Sequence, residues 1–353
     1  MWLAFMIFLG FLLAYTVWAV YTERKIAAFI QDRLGPMEVG KYGMLQTIAD
    51  LLKLLQKEDI VPQQADRLLF KAAPVIIFTA IFSGFAVMPV TVGVIGSSVQ
   101  TGVFYLMAIV SLDVLGIVAA GWGSNNKFAL YGAVRSIAQI VSYEIPFGLS
   151  VLCVVVLCGS LNLAEISTMQ GVFSGDSGAK EAFLTGGIFQ WNIFRYPILL
   201  LVFPIFYLSA LAEANRAPFD LPEAESELIA GYHTEYAGFR WALMMLSEYG
   251  AMLLLSFLGA VLFFGSWNTP LPNIGSFRLA EYTSGTLGEW SAYAWGAFWL
   301  FSKALLLVMT KMWIRWTYPR LRVDQLMSLC WKYLTPFALV FFLLCSLWKV
   351  LLS

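Results

Sequence analysis

The sequence predicts an all-α, polytopic membrane protein with about eight transmembrane helices and one amphipathic helix on the cytoplasmic side. Three observations lead there. Of 353 residues, 60% are hydrophobic and only 12% are charged. The apolar residues gather in uncharged runs of about 20, the length a helix needs to cross the hydrocarbon core. The period-two alternation of a membrane barrel is absent, and a helix is the other structure that satisfies its own backbone in lipid.

Eight runs qualify in order: Trp2–Tyr21, Ala72–Val94, Gly102–Trp122, Ile137–Gly159, Pro197–Ala212, Phe239–Gly265, Ala292–Trp313 and Leu334–Leu352. The fifth is short and interrupted by Pro204. The first has no basic leader before it and runs straight into charge, so it is expected to stay in the mature chain rather than be cleaved. The whole of 1–353 then forms one transmembrane helical domain, with a cytoplasmic connection at 22–71 and a cytoplasmic acidic loop at 213–238.

Orientation follows from Lys and Arg placement. The odd-numbered connections hold 17 of the 22 basic residues, the seventh of them counted with Lys311. The other side has Lys180, Arg195, Arg278 and Lys349, and Lys303 lies inside the seventh run. The odd connections are therefore expected in the cytoplasm and both termini outside, on the periplasmic side of a bacterial inner membrane.

Several chemistries are excluded. The net charge is zero, so no general affinity for nucleic acid follows. His233 is the only histidine, which rules out multi-imidazole metal sites. Cys153, Cys158, Cys330 and Cys345 lack metal-ligand spacing and sit in or beside apolar runs, where they are expected to pack as small hydrophobes. Neither a Gly-rich dinucleotide fingerprint nor a P-loop occurs. No motif for flavin, haem or an iron–sulfur cluster is visible, so in any redox reaction the electrons must arrive from another subunit.

Within the first connection, Glu23-Arg24-Lys25 marks the membrane exit and Arg33-Leu-Gly-Pro36 a turn. Gly43 to Lys57 has helical periodicity, with Leu45, Ile48, Leu52 and Leu55 on an apolar stripe and Gln46, Asp50, Lys53 and Lys57 on a polar one. That pattern predicts a helix lying on the membrane surface or against a partner. In the fourth run Arg135, Gln139 and Ser142 share a helix face, while Glu144 points nearly opposite to Arg135. Asp113, Glu144, Glu248 and Lys303 are intramembrane ionisable groups, which mark a functional site by default. For Asp113 a proton relay and a structural ion pair stay equally open.

The densest charge is Glu213-Ala-Asn-Arg-Ala-Pro-Phe-Asp-Leu-Pro-Glu-Ala-Glu-Ser-Glu227, five carboxylates in fifteen residues. It lies between two spans, so its acids border the bilayer and titrate as an interacting set.

These motifs, in this order and spacing over nearly the whole chain, resemble subunit 1, also called the H subunit, of NADH:quinone oxidoreductase (respiratory complex I). The match is carried by Glu23-Arg-Lys25, Arg33 to Pro36, Gly43 to Asp50, Gly121-Trp-Gly-Ser-Asn125 and Arg135 through Glu144. It continues through Glu213 to Leu228, Glu235-Tyr236, Ser247-Glu-Tyr249 and Tyr318-Pro-Arg to Gln325. The resemblance implies a membrane subunit that forms the tunnel for a lipid quinone, ubiquinone or menaquinone, and couples its reduction to proton translocation. It implies partners among the redox-arm and small membrane-arm subunits, with lipid around them and NADH used elsewhere. By the same resemblance Glu23, Arg24, Arg33 and Asp50 border the tunnel mouth; a quinone's apolar tail also needs apolar walls, which the interfacial helix and the Phe219 region could supply. Asp220, Glu223, Glu225 and Glu227 form an acidic loop that senses quinone reduction. Arg135, Glu144, Glu213, Glu235, Glu248 and Lys303 carry protons or field changes inward. Asp113 is not in the family pattern. A homologous component of an energy-converting hydrogenase-type complex, a stand-alone ion transporter and a purely structural anchor are the competing readings.

Overall fold

A computed structural model describes residues 2–97, 99–171, 184–185, 187–221, 229–274, 279–285 and 289–352. The chain is an all-α membrane protein. Its helices are α1 (Trp2–Ile30), α2 (Gln46–Gln56), α3 (Arg67–Gly84), α4 (Gly102–Gly123) and α5 (Lys127–Cys158). Short α6 (Leu163–Thr168) and α7 (Asn192–Arg195) lead into α8 (Pro197–Glu213) and α9 (Gly238–Leu262). Then come α10 (Leu279–Ser284), α11 (Trp290–Thr317), α12 (Val323–Ser328) and α13 (Thr335–Leu352). Among the described residues, α3, α4, α5, α9, α11 and the α12–α13 stretch are long and apolar enough to span a bilayer, while α8 is shorter. The 29-residue α1 covers the first expected run.

Local chemistry sets the ends. The Asp66 side chain accepts from the N–H groups of Leu68 and Leu69, and Asn126 accepts from that of Phe128, so α3 and α5 begin where a capping oxygen is available. Gly159 closes α5 at φ 76, a conformation only glycine adopts without a Cβ penalty. Pro197 stands in the first turn of α8, where its missing N–H costs nothing.

Two boundaries depart from the sequence expectation. The second run does not stay helical to Val94. It ends at Gly84, and β1 (Pro89–Thr91) pairs antiparallel with β2 (Val94–Ile95) around Gly93 at φ 77. Val, Thr and Ile suit a strand as well as a helix, and the apolar count alone did not separate them. The fourth run starts ten residues earlier than expected, because Lys127 and Arg135 are helical although they fall outside its apolar stretch.

α9 is the axis of the bundle. Its most apolar window is 83% buried, against 22% for the α12–α13 stretch, which leaves the latter's apolar side chains facing outward. Small residues bring the helices close. A Cβ at Gly116 of α4 would lie 2.4 Å from Ile77 Cγ1 of α3. α2 turns Thr47, Leu51 and Leu54 inward and leaves Ile48, Leu52 and Leu55 exposed, as is Leu45 just before it.

If α3 and α4 owe their register to this contact, Gly116→Leu will overpack it and cost about 1–3 kcal/mol. The check is thermal unfolding of the detergent-solubilised protein. An unchanged midpoint would show that the Gly116 contact does not hold the two helices.

Candidate functional site

An apolar slot of about 670 Å³ opens between α1, α2, α9 and α11. Leu13, Val17, Val20, Leu51 and Leu54 are among its walls, while Arg24, Arg33 and Asp50 stand on its polar side. Arg24 pairs with Asp50 at 2.5 Å, and Gln46 donates to the other Asp50 oxygen at 3.2 Å. Arg33 donates to Gln31 at 2.7 Å.

Glu23 also lines the slot, but not at an exposed mouth. It is only 4% exposed, because α1 continues to Ile30 and carries Glu23 into the bundle. Its carboxylate accepts from Tyr249 Oη at 2.7 Å, from Arg216 at 3.3 Å and from Arg315. Arg216 is 1% exposed and lies over the Tyr249 ring at 4.2 Å. Its Nε forms an ion pair with Glu248 at 2.8 Å. One buried guanidinium thus joins Glu23 of α1 to Glu248 of α9. Tyr249, Arg216 and Arg315 were not among the predicted site residues. The signals were a lone arginine inside an acidic run, a tyrosine beside a buried glutamate and an arginine at a span end.

Beyond this cluster the acidic groups continue inward. Asp113 of α4 has Glu248 as its charged neighbour, and Glu213 at the end of α8 has Glu144 and Asp113. Ser111 donates to Glu144, which agrees with Glu144 facing α4. One oxygen each of Asp113 and Glu213 is buried without a hydrogen-bond partner. Asp113 forms no ion pair among the described residues, so the structural-pair reading finds no support.

The remaining predicted residues are placed differently from one another. Gln139 donates to the Ala212 carbonyl at 2.7 Å and to Asn215 at 3.3 Å, holding the start of the acidic loop, while Arg135 is half-buried one turn earlier on α5. Asp220 is buried and pairs with Arg320 at 3.3 Å. Glu235 accepts from Asn126 at 2.6 Å, away from the slot. Glu223, Glu225 and Glu227 lie outside the described residues. Two expectations are corrected. Phe219 does not line the slot; it is 1% exposed and packs on Tyr143 with ring centroids 5.4 Å apart. Lys303 does not join the acidic groups. Its amine donates to the carbonyls of Ser266 at 2.8 Å and Asn268 at 2.5 Å and sits 4.2 Å over Trp191. Twelve residues along α11 put it about 18 Å from Arg315. Lys311, counted with the seventh connection, is instead 2% exposed inside the bundle.

His233 stands in the turn before α9. Burial lowers its pKa from 6.5 to about 4, and its Nδ1 lies 3.3 Å from Met244 Sδ.

A slot walled by apolar side chains beside a buried network of acids and bases, within a bundle of helices long and apolar enough to span a bilayer, defines a polytopic helical membrane protein with a charged interior. The chain belongs to the family whose model is described as NADH dehydrogenase, which matches residues 3–346. Among its relatives is a second H subunit of NADH-quinone oxidoreductase from Cytophaga hutchinsonii, 57% identical over 354 residues and covering 97% of each chain. Proteins named as the H subunit of NADH-quinone oxidoreductase include that of Chlorobium luteolum, 54% identical over 94% of this chain and 84% of its own. That of Bacteroides thetaiotaomicron is 44% identical over 92% and 84% respectively.

Two outcomes follow from this geometry. Arg216→Met leaves Glu23 and Glu248 buried without their shared cation and should destabilise by about 3–5 kcal/mol. Adding Glu23→Gln should recover part of that loss, read as the midpoint of thermal unfolding; equal midpoints for parent and Arg216→Met would contradict the bridging role. For His233, the unfolded chain takes up a proton below pH 6.5 that the buried ring refuses until about 4. Its stabilisation is therefore complete above pH 6.5 and is lost as pH falls through that window, up to about 3 kcal/mol. His233→Leu should flatten the difference in midpoint between pH 7 and pH 4; an unaltered pH dependence would remove His233 from the account.

Proposed function

We propose that this chain acts as the membrane subunit of a proton-translocating NADH-quinone oxidoreductase, where it holds the quinone and couples quinone reduction to proton movement. The observation that carries this reading is the apolar slot lined at its charged end by Glu23, Tyr249 and Arg315, with Arg216 bonded to Glu23 behind them. A quinone has an apolar tail and a polar head, and a slot of apolar walls with a few polar groups at its end suits that shape. The substrate would be ubiquinone or menaquinone. Flavin, iron–sulfur clusters and the NADH site would belong to partner subunits of the redox arm, and small membrane-arm subunits and lipid would surround the bundle. The seat would be a bacterial inner membrane, with both termini on the periplasmic side.

The chain's own residues would then work as follows. The walls from α1, α2 and α9 guide the tail, and Arg24, Arg33 and Asp50 flank the polar side. Reduction of the quinone to the quinol consumes two electrons and two protons. The charge that appears at the inner end acts on Glu23, whose counter-ion Arg216 is shared with Glu248. Any change at Glu23 therefore alters the field at Glu248, and from there at Asp113, Glu213 and Glu144. Asp220, with Glu223, Glu225, Glu227 and Glu235, would link the acidic loop to the same event. Arg135 would act at the loop's attachment to α5, and Lys303 would brace the far end of α11 rather than relay protons.

The testing experiment fills the slot. Ala242 lines it from α9. In the purified assembled complex, Ala242→Phe should lower NADH:quinone kcat/KM by about tenfold while NADH oxidation by a soluble acceptor is unchanged. Wild-type quinone kinetics in that variant would mean the slot is not the quinone path.

A further inference from the structure

Of the helices that wall the slot, α2 is the one least held by packing. Thr47 is its one buried residue, and Ile48, Leu52 and Leu55 are exposed. A short helix takes its place in a protein mainly from the apolar face it buries, and α2 buries little. Yet Leu51, Leu54 and Leu55 of α2 line the slot together with Phe239, Trp241 and Ala242 of α9. Two ion pairs tie α2 down. Arg24 of α1 holds Asp50 within the helix, and Arg240 of α9 holds Asp59, three residues past its end, at 2.8 Å.

The two pairs are built differently. Both partners of the first are well exposed, a setting in which an ion pair contributes little, whereas the Arg240 side chain is only 14% exposed. Its guanidinium lies 5.3 Å over the Phe70 ring of α3, and Phe70 stacks on Tyr236 with centroids 4.2 Å apart and planes 5° apart. Tyr236 donates back to the Phe70 carbonyl at 3.3 Å. A planar cation resting on a buried ring gives up less freedom on pairing than a surface arginine does. Arg240 is therefore a fixed post, and the more exposed Asp59 is the end that comes to it. The backbone meets at the same place. Gly238 opens α9 at φ 58, and a Cβ there would lie 3.0 Å from the Lys57 carbonyl oxygen and 3.5 Å from that of Glu58. The end of α2 is thus pressed against the first residue of α9, in the two residues before Asp59.

We propose that Arg240 and Asp59 are positioning residues for the quinone slot, their ion pair holding the end of α2 against α9 and so setting the distance between the two apolar walls. The inference rests on the quinone-binding function above and adds to it the contact that fixes the slot's width. Among the described residues neither side chain pairs with Glu23, Arg216 or Glu248, so the pair acts on the grip of the walls and not on the charged end. Walls already in place spare the ligand the cost of ordering them when it binds. Freeing the end of α2 restores that cost for ground state and transition state alike, which raises KM and leaves kcat.

The test reads NADH:quinone kcat and KM in the assembled complex, with NADH oxidation by a soluble acceptor as the control for assembly. Asp59→Asn keeps the shape and removes the charge; KM for quinone should rise several-fold while kcat stays within about twofold of the parent. Asp59→Glu keeps the charge and should hold KM near the parental value. Arg240→Met should raise KM as Asp59→Asn does, and the double variant should be no worse than either single one, because both remove the same contact. A parental KM in Asp59→Asn, an Asp59→Glu no better than Asp59→Asn, or additive losses in the double variant would each overturn the proposal. If Arg240→Met does not assemble, the two substitutions at the exposed Asp59 still decide it. Ala242→Phe separates the two levels of the argument. If it leaves quinone kinetics unchanged, the slot is not the quinone path and the functional reading falls; if it lowers kcat/KM while Asp59→Asn is silent, only the role of this ion pair falls.

Discussion

The buried side chain of Arg216 is the interaction on which the rest depends. It follows α8 directly, yet it reaches a glutamate on α1 and another on α9 and stacks on Tyr249. Taking three ions out of water costs more than one pair recovers unless the geometry is good and further hydrogen bonds are made. Tyr249 and Arg315 provide those bonds at Glu23. Arginine suits the position because its planar fork can address two carboxylates and it stays charged whatever its neighbours do. The same contact fixes α1, the end of α8 and α9 against one another at the inner end of the slot, so the site and the helix packing share one determinant.

α9 turns that local contact into a path. Its position at the centre of the bundle exposes Glu248 to α1 on one side and, through Asp113, to α4 on the other. In an interior of low dielectric a single charge acts over several ångströms with little screening. A protonation change at the slot therefore need not travel as a moving proton at every step. The acids are spaced so that each feels the next: Glu248 and Asp113, Asp113 and Glu213, Glu213 and Glu144.

Much of this was legible in the sequence, and the misses have separate physical causes. Long apolar runs are a one-dimensional signal, and they located every major helix. Pro89 to Val94 was read as helix because hydrophobicity carries no period in so short a run. The residues placed around the slot from the family pattern, Glu23, Arg24, Arg33 and Asp50, do converge there, but the depth of Glu23 depended on how far α1 continued past its uncharged core. Phe219 was assigned as an apolar wall, and Lys303 as an intramembrane charge of the family pattern, without knowledge of where either side chain turns. Phe219 follows a turn after Arg216 that sends its ring toward Tyr143, and Lys303 is captured by carbonyls of the loop after α9. Lys311 was missed for a different reason. Near Trp313 and Arg315 it looks like a side chain that reaches back to the membrane surface, as lysines at span ends do. Only the facing of α11 onto α9 turns it inward.

Asp113 shows why tertiary placement has to decide such cases. Its residue type and depth were visible, but they fitted a relay and an ion pair equally well. The α4 helix is pressed against α3 through Gly116 and against α5 through Gly121, where an added Cβ would meet Ala133 at 2.3 Å. Those glycine contacts leave little room to turn α4, so Ser111 is directed to Glu144 while Asp113, two residues on, stays within electrostatic reach of Glu248 and Glu213. Among the described residues Asp113 makes no ion pair, and Glu248 is the charged group that acts on it. The glycines that look like mere packing thus set the spacing of the acidic chain, and the chain's continuity from slot to α5 is a property of helix contact as much as of charge.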